Sequence, residues 1–115
     1  MNTKILFPGY PIHHLSDLTI HLGISDLGLI LKLFPRLTKL DILVRIPGDF
    51  QVIHPCLREL ILNSGEDEKH EQRISISPLT IDLEKLTVRN FQGLKNLDIY
   101  APDIKKVRII DCYGL

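Results

Sequence analysis

Neither sign of charge is in excess: 14 Lys and Arg are set against 14 Asp and Glu, for a formal net charge of zero. Nucleic-acid backbones are held by accumulated Lys and Arg, so this balance argues against nucleic acid as the main partner. Long apolar runs are missing too. Nothing approaches the ~20 residues that span a bilayer, and no membrane association is expected. The stretch Met1–Pro11 carries one lysine and one three-residue apolar run, Ile5-Leu6-Phe7, too little for a signal peptide. Cysteine is scarce: Cys56 and Cys112 form neither a metal nor a redox spacing. Both are expected to be reduced thiols of an intracellular protein, cytoplasmic or nuclear, with a disulfide between them as the alternative.

Catalytic and cofactor motifs are absent as well. The seven glycines never form G-x-G-x-x-G or a P-loop, and no G-x-S-x-G surrounds a serine. His13 and His14 are adjacent, which on a strand sends them to opposite faces. His54 and Cys56 are close in sequence, but no second pair completes a tetrahedral site. Asp111 beside Cys112 resembles a reactive pair, yet a small cysteine stacked in a core is the better reading. No enzymatic activity, no cofactor and no metal are expected.

What the chain does have is leucine at regular intervals. The spacing L-x-x-L-x-L begins at Leu15, Leu37, Leu57, Leu83 and, in a looser form, at Ile104, where Val107, Ile109 and Cys112 follow. The steps between these starts are 22, 20, 26 and 21 residues, inside the usual 20–29 of a leucine-rich repeat. The physical content is simple. Side chains of a strand alternate faces, so the second and third apolar residues of each match share a face, and the first reaches the same core around a bend. Each fully buried side chain contributes roughly 1.5–3 kcal/mol, but one coil leaves its backbone edges and apolar face without a neighbour, so coils must stack. Three of the coils open on a proline two residues before the first core position (Pro35, Pro55, Pro102), which fixes φ where the chain turns into the strand. The competing reading is a globular α+β domain with chance leucine spacing.

Between the matches, Leu27, Ile30, Leu31 and Phe34 stand at one face of a helix that Ser25 or Asp26 can cap and Pro35 stops. Ile46-Pro47-Gly48-Asp49 reads as a turn, with Phe50, Val52 and Ile53 covering the core from outside. Ser64–Arg73 has no apolar residue and reads as a solvated charged loop. Ile74-Ser75-Ile76 reads as a short outer strand ended by Pro78. Leu94, Leu97 and Ile99 also fit the repeat spacing, but too soon after Leu83 for a full coil, so Leu97–Tyr100 is taken as an outer strand. The expected fold is an α/β leucine-rich repeat solenoid. It has a parallel concave sheet of about five strands, one outer helix, and irregular or short-strand outer segments. Residues 1–115 form a single domain, with a lead-in over 1–14 and the charged loop over 64–73.

Leu33-Phe34-Pro35-Arg36-Leu37-Thr38-Lys39-Leu40, His54-Pro55-Cys56-Leu57-Arg58-Glu59-Leu60 and Leu97-Asp98-Ile99-Tyr100-Ala101-Pro102-Asp103-Ile104-Lys105-Lys106-Val107 resemble the leucine-rich repeats of plant F-box proteins. The resemblance spans about residues 27–112 and carries that family's step of outer strand, Ala-Pro and x-Leu-Lys-x-Leu. It implies the substrate-holding half of a receptor in a Skp–cullin ubiquitin ligase. A Skp-type adaptor would be met by an F-box outside this chain, because only 14 residues precede Leu15 and no three-helix F-box fits there; a truncated or partial family member is expected. The position-nine Asn or Cys of the repeat is present only as Cys112; elsewhere it is Gly23, Arg45, Gly65 and Phe91, so a regular asparagine ladder is not expected. A leucine-rich segment of a plant immune receptor is the alternative, and an upstream nucleotide-binding domain would select it.

Solenoids of this kind bind partners on the concave side. The candidate partner-binding residues are Asp41, Glu59, Ile61, Asn63, Lys85, Thr87, Arg89, Lys106 and Arg108, for a protein partner. The first coils are mixed in charge, and Lys85, Arg89, Lys106 and Arg108 make the last two basic. Leu43, Ile61 and Ile110 are apolar where water is expected.

Overall fold

A computed structural model describes residues 16–24, 27–44, 48–64 and 71–113. The apolar columns anticipated from the leucine spacing are the axis of the fold. Strands β1 (Asp17–Ile24), β2 (Lys39–Val44), β4 (Glu59–Ser64), β6 (Lys85–Arg89) and β8 (Lys106–Ile110) form one parallel sheet in the order β1-β2-β4-β6-β8. Its register aligns Leu18, Leu40, Leu60, Leu86 and Val107 in one row and Ile20, Ile42, Leu62, Val88 and Ile109 in the next. Strands β3 (Gly48–Val52), β5 (Gln72–Ile76) and β7 (Leu94–Ile99) form a second parallel sheet, and helix α1 (Leu27–Leu33) packs beside β3. From β2 onward, successive strands thus alternate between two layers, each pairing with the strand one coil away, while α1 takes the place of an outer strand between β1 and β2. This is a parallel β-solenoid with one short helix, more strand than the α/β expectation.

The coils are tied by one repeated hydrogen-bond pattern. The carbonyl of Ser16 accepts from the N–H groups of both Thr38 and Lys39; that of Thr38 accepts from Arg58 and Glu59; that of Arg58 from Glu84 and Lys85; that of Glu84 from Lys105 and Lys106. These junctions recur in the phase of the leucines. Leu37, Leu57 and Leu83 sit one residue before their junctions and are fully buried, with Ile104 partly so. Pro35, Pro55 and Pro102 lie in turns, as their fixed φ requires. The residue before each proline is also buried. Phe34, His54, Thr80 and Ala101 occupy this phase in successive coils, although Thr80 is followed by Ile81 rather than proline.

At the far end of the inner strands the chain leaves through left-handed backbone. Asn90 (φ 62°) and Asp111 (φ 52°) are one coil apart in the register, and Asn and Asp tolerate this region better than other non-glycine residues. The turn points the next residues, Phe91 and Cys112, toward the core. Phe91 is fully buried, and the Cys112 thiol donates to the Val88 carbonyl at 3.4 Å.

Several expectations need correcting. Gly48 and Asp49 are strand rather than turn, because they pair with Gln72 and Arg73; an Asp49–Arg73 contact of 3.5 Å accompanies the pairing. Gln72 and Arg73 are therefore strand too, although composition places them in the charged loop. Ile53 is 46% exposed and covers no core. Strand β7 begins at Leu94 and ends before Tyr100, since the Gln72 N–H is taken up by the Gly93 carbonyl and pairing starts there. Val107 and Ile109 are 42% and 47% exposed rather than buried, because β8 has no strand on its far side among the described residues. The helix caps Ser25 and Asp26, the first template residue Leu15, His13, His14, and Arg45 and Gly65 lie outside the described residues. Among the described residues, no helix is long and apolar enough to cross a membrane.

Candidate functional site

Period-two alternation sends every second residue of an inner strand away from the core. On β2, β4 and β6 burial alternates accordingly, with Leu40, Ile42, Leu60, Leu62, Leu86 and Val88 inward. The outward residues line up across strands in three rows. The first is Asp17, Lys39, Glu59, Lys85, Lys106; the second Thr19, Asp41, Ile61, Thr87, Arg108; the third Leu43, Asn63, Arg89, Ile110. All nine candidate residues, Asp41, Glu59, Ile61, Asn63, Lys85, Thr87, Arg89, Lys106 and Arg108, lie on this one face. Lys85, Lys106 and Arg108 are exposed and the other six are half-buried. Leu43, Ile61 and Ile110 are half-buried too, so none stands fully in water.

Charges on this face are unevenly paired. Lys39 Nζ lies 3.9 Å from Glu59 Oε1, a solvent-screened contact of at most about 1 kcal/mol. Beyond Glu59 the row continues with Lys85 and Lys106, and no described carboxylate pairs with either. A depression of about 120 Å³ is lined by Glu59, Lys85, Leu86, Thr87, Lys106 and Arg108. In the third row, Arg89 Nε is buried without a hydrogen-bond partner, which is costly for a charged donor. Asn90, which sequence reasoning passed over, donates through Nδ2 to Asn63 Oδ1 at 3.0 Å and ties the end of β6 to β4. Its signal was present in the chain: Asn90 and Asp111 stand at the same phase.

Lys105, just before β8, is spent elsewhere. Its Nζ lies 3.1 Å from Glu84 Oε1. That hydrogen bond and then the Lys105 charge outweigh the opposing desolvation, with smaller help from Arg58 and Lys85, and hold the Glu84 carboxyl below its ordinary value of 4.5. A lowered folded-state value stabilises the fold above the ordinary carboxylate range, and that contribution is lost as pH falls through the folded value. Lys105→Ala is expected to return Glu84 toward its ordinary titration, read from its side-chain carboxyl ¹³C shift; an unmoved midpoint would show that the pair does not form.

Elsewhere, the described residues form no cluster that could hold a metal ion. No three His, Cys, Asp or Glu side chains come together there, and Cys56 and Cys112 are both free thiols. A larger depression of about 330 Å³ lies between α1 and the coil-opening turns, lined by Gly28, Leu31, Lys32, Pro35, Gln51, Ile53, His54 and Pro55. Its one histidine is buried and committed to backbone groups.

The geometry defines a class: a parallel β-solenoid presenting one mixed-charge, side-chain-lined sheet face. Compared with protein-family models, curated proteins and solved structures, the chain finds no match in any of the three.

Proposed function

We propose that the chain is a non-enzymatic protein-binding module of the leucine-rich-repeat type, and that the outward face of its five-stranded sheet holds the partner. The observation that carries this reading is the face itself. Five paired strands, in continuous register from β2 to β8, display fourteen outward side chains in three rows, mixing charged, amide, hydroxyl and aliphatic groups. Such a surface matches the make-up of a protein interface, polar with aliphatic grips, better than that of a catalytic cleft. The repeated junctions, at the phase of the leucines, support the repeat assignment. Within it, the chain is similar to the substrate-holding repeats of an F-box ubiquitin-ligase receptor, with any Skp-type adaptor bound by a segment outside these residues. The two unbridged thiols support an intracellular setting, cytoplasmic or nuclear.

Site-specific photocrosslinking tests the surface. A benzophenone amino acid at Ile61, in the middle of the face, is expected to crosslink a protein in cells. The same probe at Ile81, exposed in an outer turn, is expected to give none of that product. Equal capture from both positions, or from Ile81 alone, would overturn the assignment of the face.

A further inference from the structure

We infer that the partner docks through an acidic, extended segment, held on the last two rungs by Lys85, Arg89, Lys106 and Arg108. This rests on the proposed role of the sheet face and names the chemistry of what the face takes.

Along the first outward row, charge alternates for three rungs, Asp17, Lys39 and Glu59, and Lys39 and Glu59 are in contact. Alternation then stops. Lys85 and Lys106 are register partners on adjoining strands, which run about 4.8 Å apart, and like charges placed this way repel. Arg108, beside Thr87 in the second row, adds a third exposed cation to the same depression. Glu59 is the one carboxylate lining it, and Glu59 also faces Lys39. The nearby Glu84 carboxylate is taken by Lys105. In a chain of zero net charge, this local excess is not a by-product of composition. It is a repulsion that an incoming carboxylate relieves.

The neighbouring residues favour a peptide over a polynucleotide. Ile61 and Ile110 stand half-buried on either side of the cations, and Thr87 and Asn63 supply a hydroxyl and an amide. An extended segment alternating carboxylates with aliphatic side chains would meet both kinds of group. Bases, by contrast, are held by stacking on aromatic rings, and the outward rows of β2, β4, β6 and β8 contain none.

The test uses the full chain and three fluorescein-labelled probes: a short peptide alternating Glu and Leu, its Lys-for-Glu counterpart, and a single-stranded RNA of similar length. Anisotropy titrations are expected to show saturable, salt-sensitive binding of the acidic peptide alone. Lys106→Glu with Arg108→Glu is expected to weaken it about tenfold or more, and Lys85→Gln about threefold. Lys95→Glu, exposed on the outer sheet, should leave it unchanged. Because these positions are exposed, the circular dichroism spectra and melts of the variants should match the parent. Binding insensitive to the double reversal, or equal binding of the basic peptide, would overturn the inference, and tighter binding of RNA would replace it with a nucleic-acid site. Failure of the acidic peptide, with the Ile61 crosslink retained, would sink the acidic partner and leave the protein-binding face. Loss of both would sink the face as well.

Discussion

Phe91→Ala is expected to remove about 3–5 kcal/mol of stability, a large share of the 5–15 kcal/mol typical of a small domain. Phe91 is 0% exposed and heads the fully buried side chains by volume. Three local features hold it there. Asn90 turns the chain inward in a left-handed conformation, the Phe91 carbonyl accepts from Tyr113 N–H at 2.9 Å, and Leu94 next opens β7 from a fully buried position. The backbone is therefore pinned on both sides, and the surroundings cannot collapse far into the space left by the ring. That is the condition under which the cavity adds to the lost transfer energy. The loss should also be local at first. Inner-sheet contacts run only between neighbouring rungs, β2 to β4, β4 to β6 and β6 to β8, so the damage should spread outward from β6, β7 and β8. Amide hydrogen exchange should rise in those strands before it rises in β2, and the urea midpoint should fall. Phe91→Leu keeps most of the volume and should cost less than half as much. An alanine variant melting within about 1 kcal/mol of the parent would mean that the ring contributes no core packing.

Phe91 also shows how far the sequence can be read. Position nine of the repeat is where asparagine would be expected, and finding phenylalanine there argues for irregular stacking. The structure resolves the conflict by dividing the job. Asn90 supplies the left-handed turn and an amide hydrogen bond, and Phe91 supplies volume. One coil later Asp111 supplies the turn, and the Cys112 thiol reaches the Val88 carbonyl. Inner strands were legible because burial on one face imposes period two, and stacking imposes a common phase. Outer segments were less so. Gly48-Asp49 has the chemistry of a turn, and Gln72-Arg73 that of a loop, yet each dipeptide is strand because the other pairs with it. A pairing between two unlikely partners leaves no mark in either stretch alone. The face of the candidate site was legible for the same reason as the core, since it is the other half of the alternation. Which charges on it are already neutralised was not, because Lys39 with Glu59 and Lys105 with Glu84 are contacts between coils.

His54→Leu is expected to cost about 2–4 kcal/mol, although leucine fills a similar space and suits a buried position better by composition. His54 is 2% exposed. Its Nδ1 lies 3.2 Å from the Cys56 N–H and can only accept from it, so the proton belongs on Nε2, which then donates to the Phe34 carbonyl at 2.8 Å. The ring is thus a neutral tautomer fixed by two backbone groups, one in its own turn and one in the turn of the preceding coil. The next coil continues the link. The His54 N–H donates to Thr80 Oγ1 at 3.4 Å, and Thr80 Oγ1 donates to the Val52 carbonyl at 3.0 Å. Two side chains at one phase, His54 and Thr80, therefore stitch the coil-opening turns of three coils together where the inner sheet does not reach. Leucine would leave the half-buried Cys56 N–H without its acceptor and the buried Phe34 carbonyl without its donor, and the gain in apolar area does not offset the loss of both bonds. His54→Asn separates the two bonds: its carbonyl can still accept from the N–H two residues on, but it is too short to reach Phe34, so an intermediate loss is expected. Imidazole ¹⁵N shifts should show Nε2 protonated and Nδ1 bare in the folded chain. Were the leucine variant to melt at the parental urea midpoint, the turns would be held by their backbone and prolines alone, and the polar column would be incidental to the stacking of the coils.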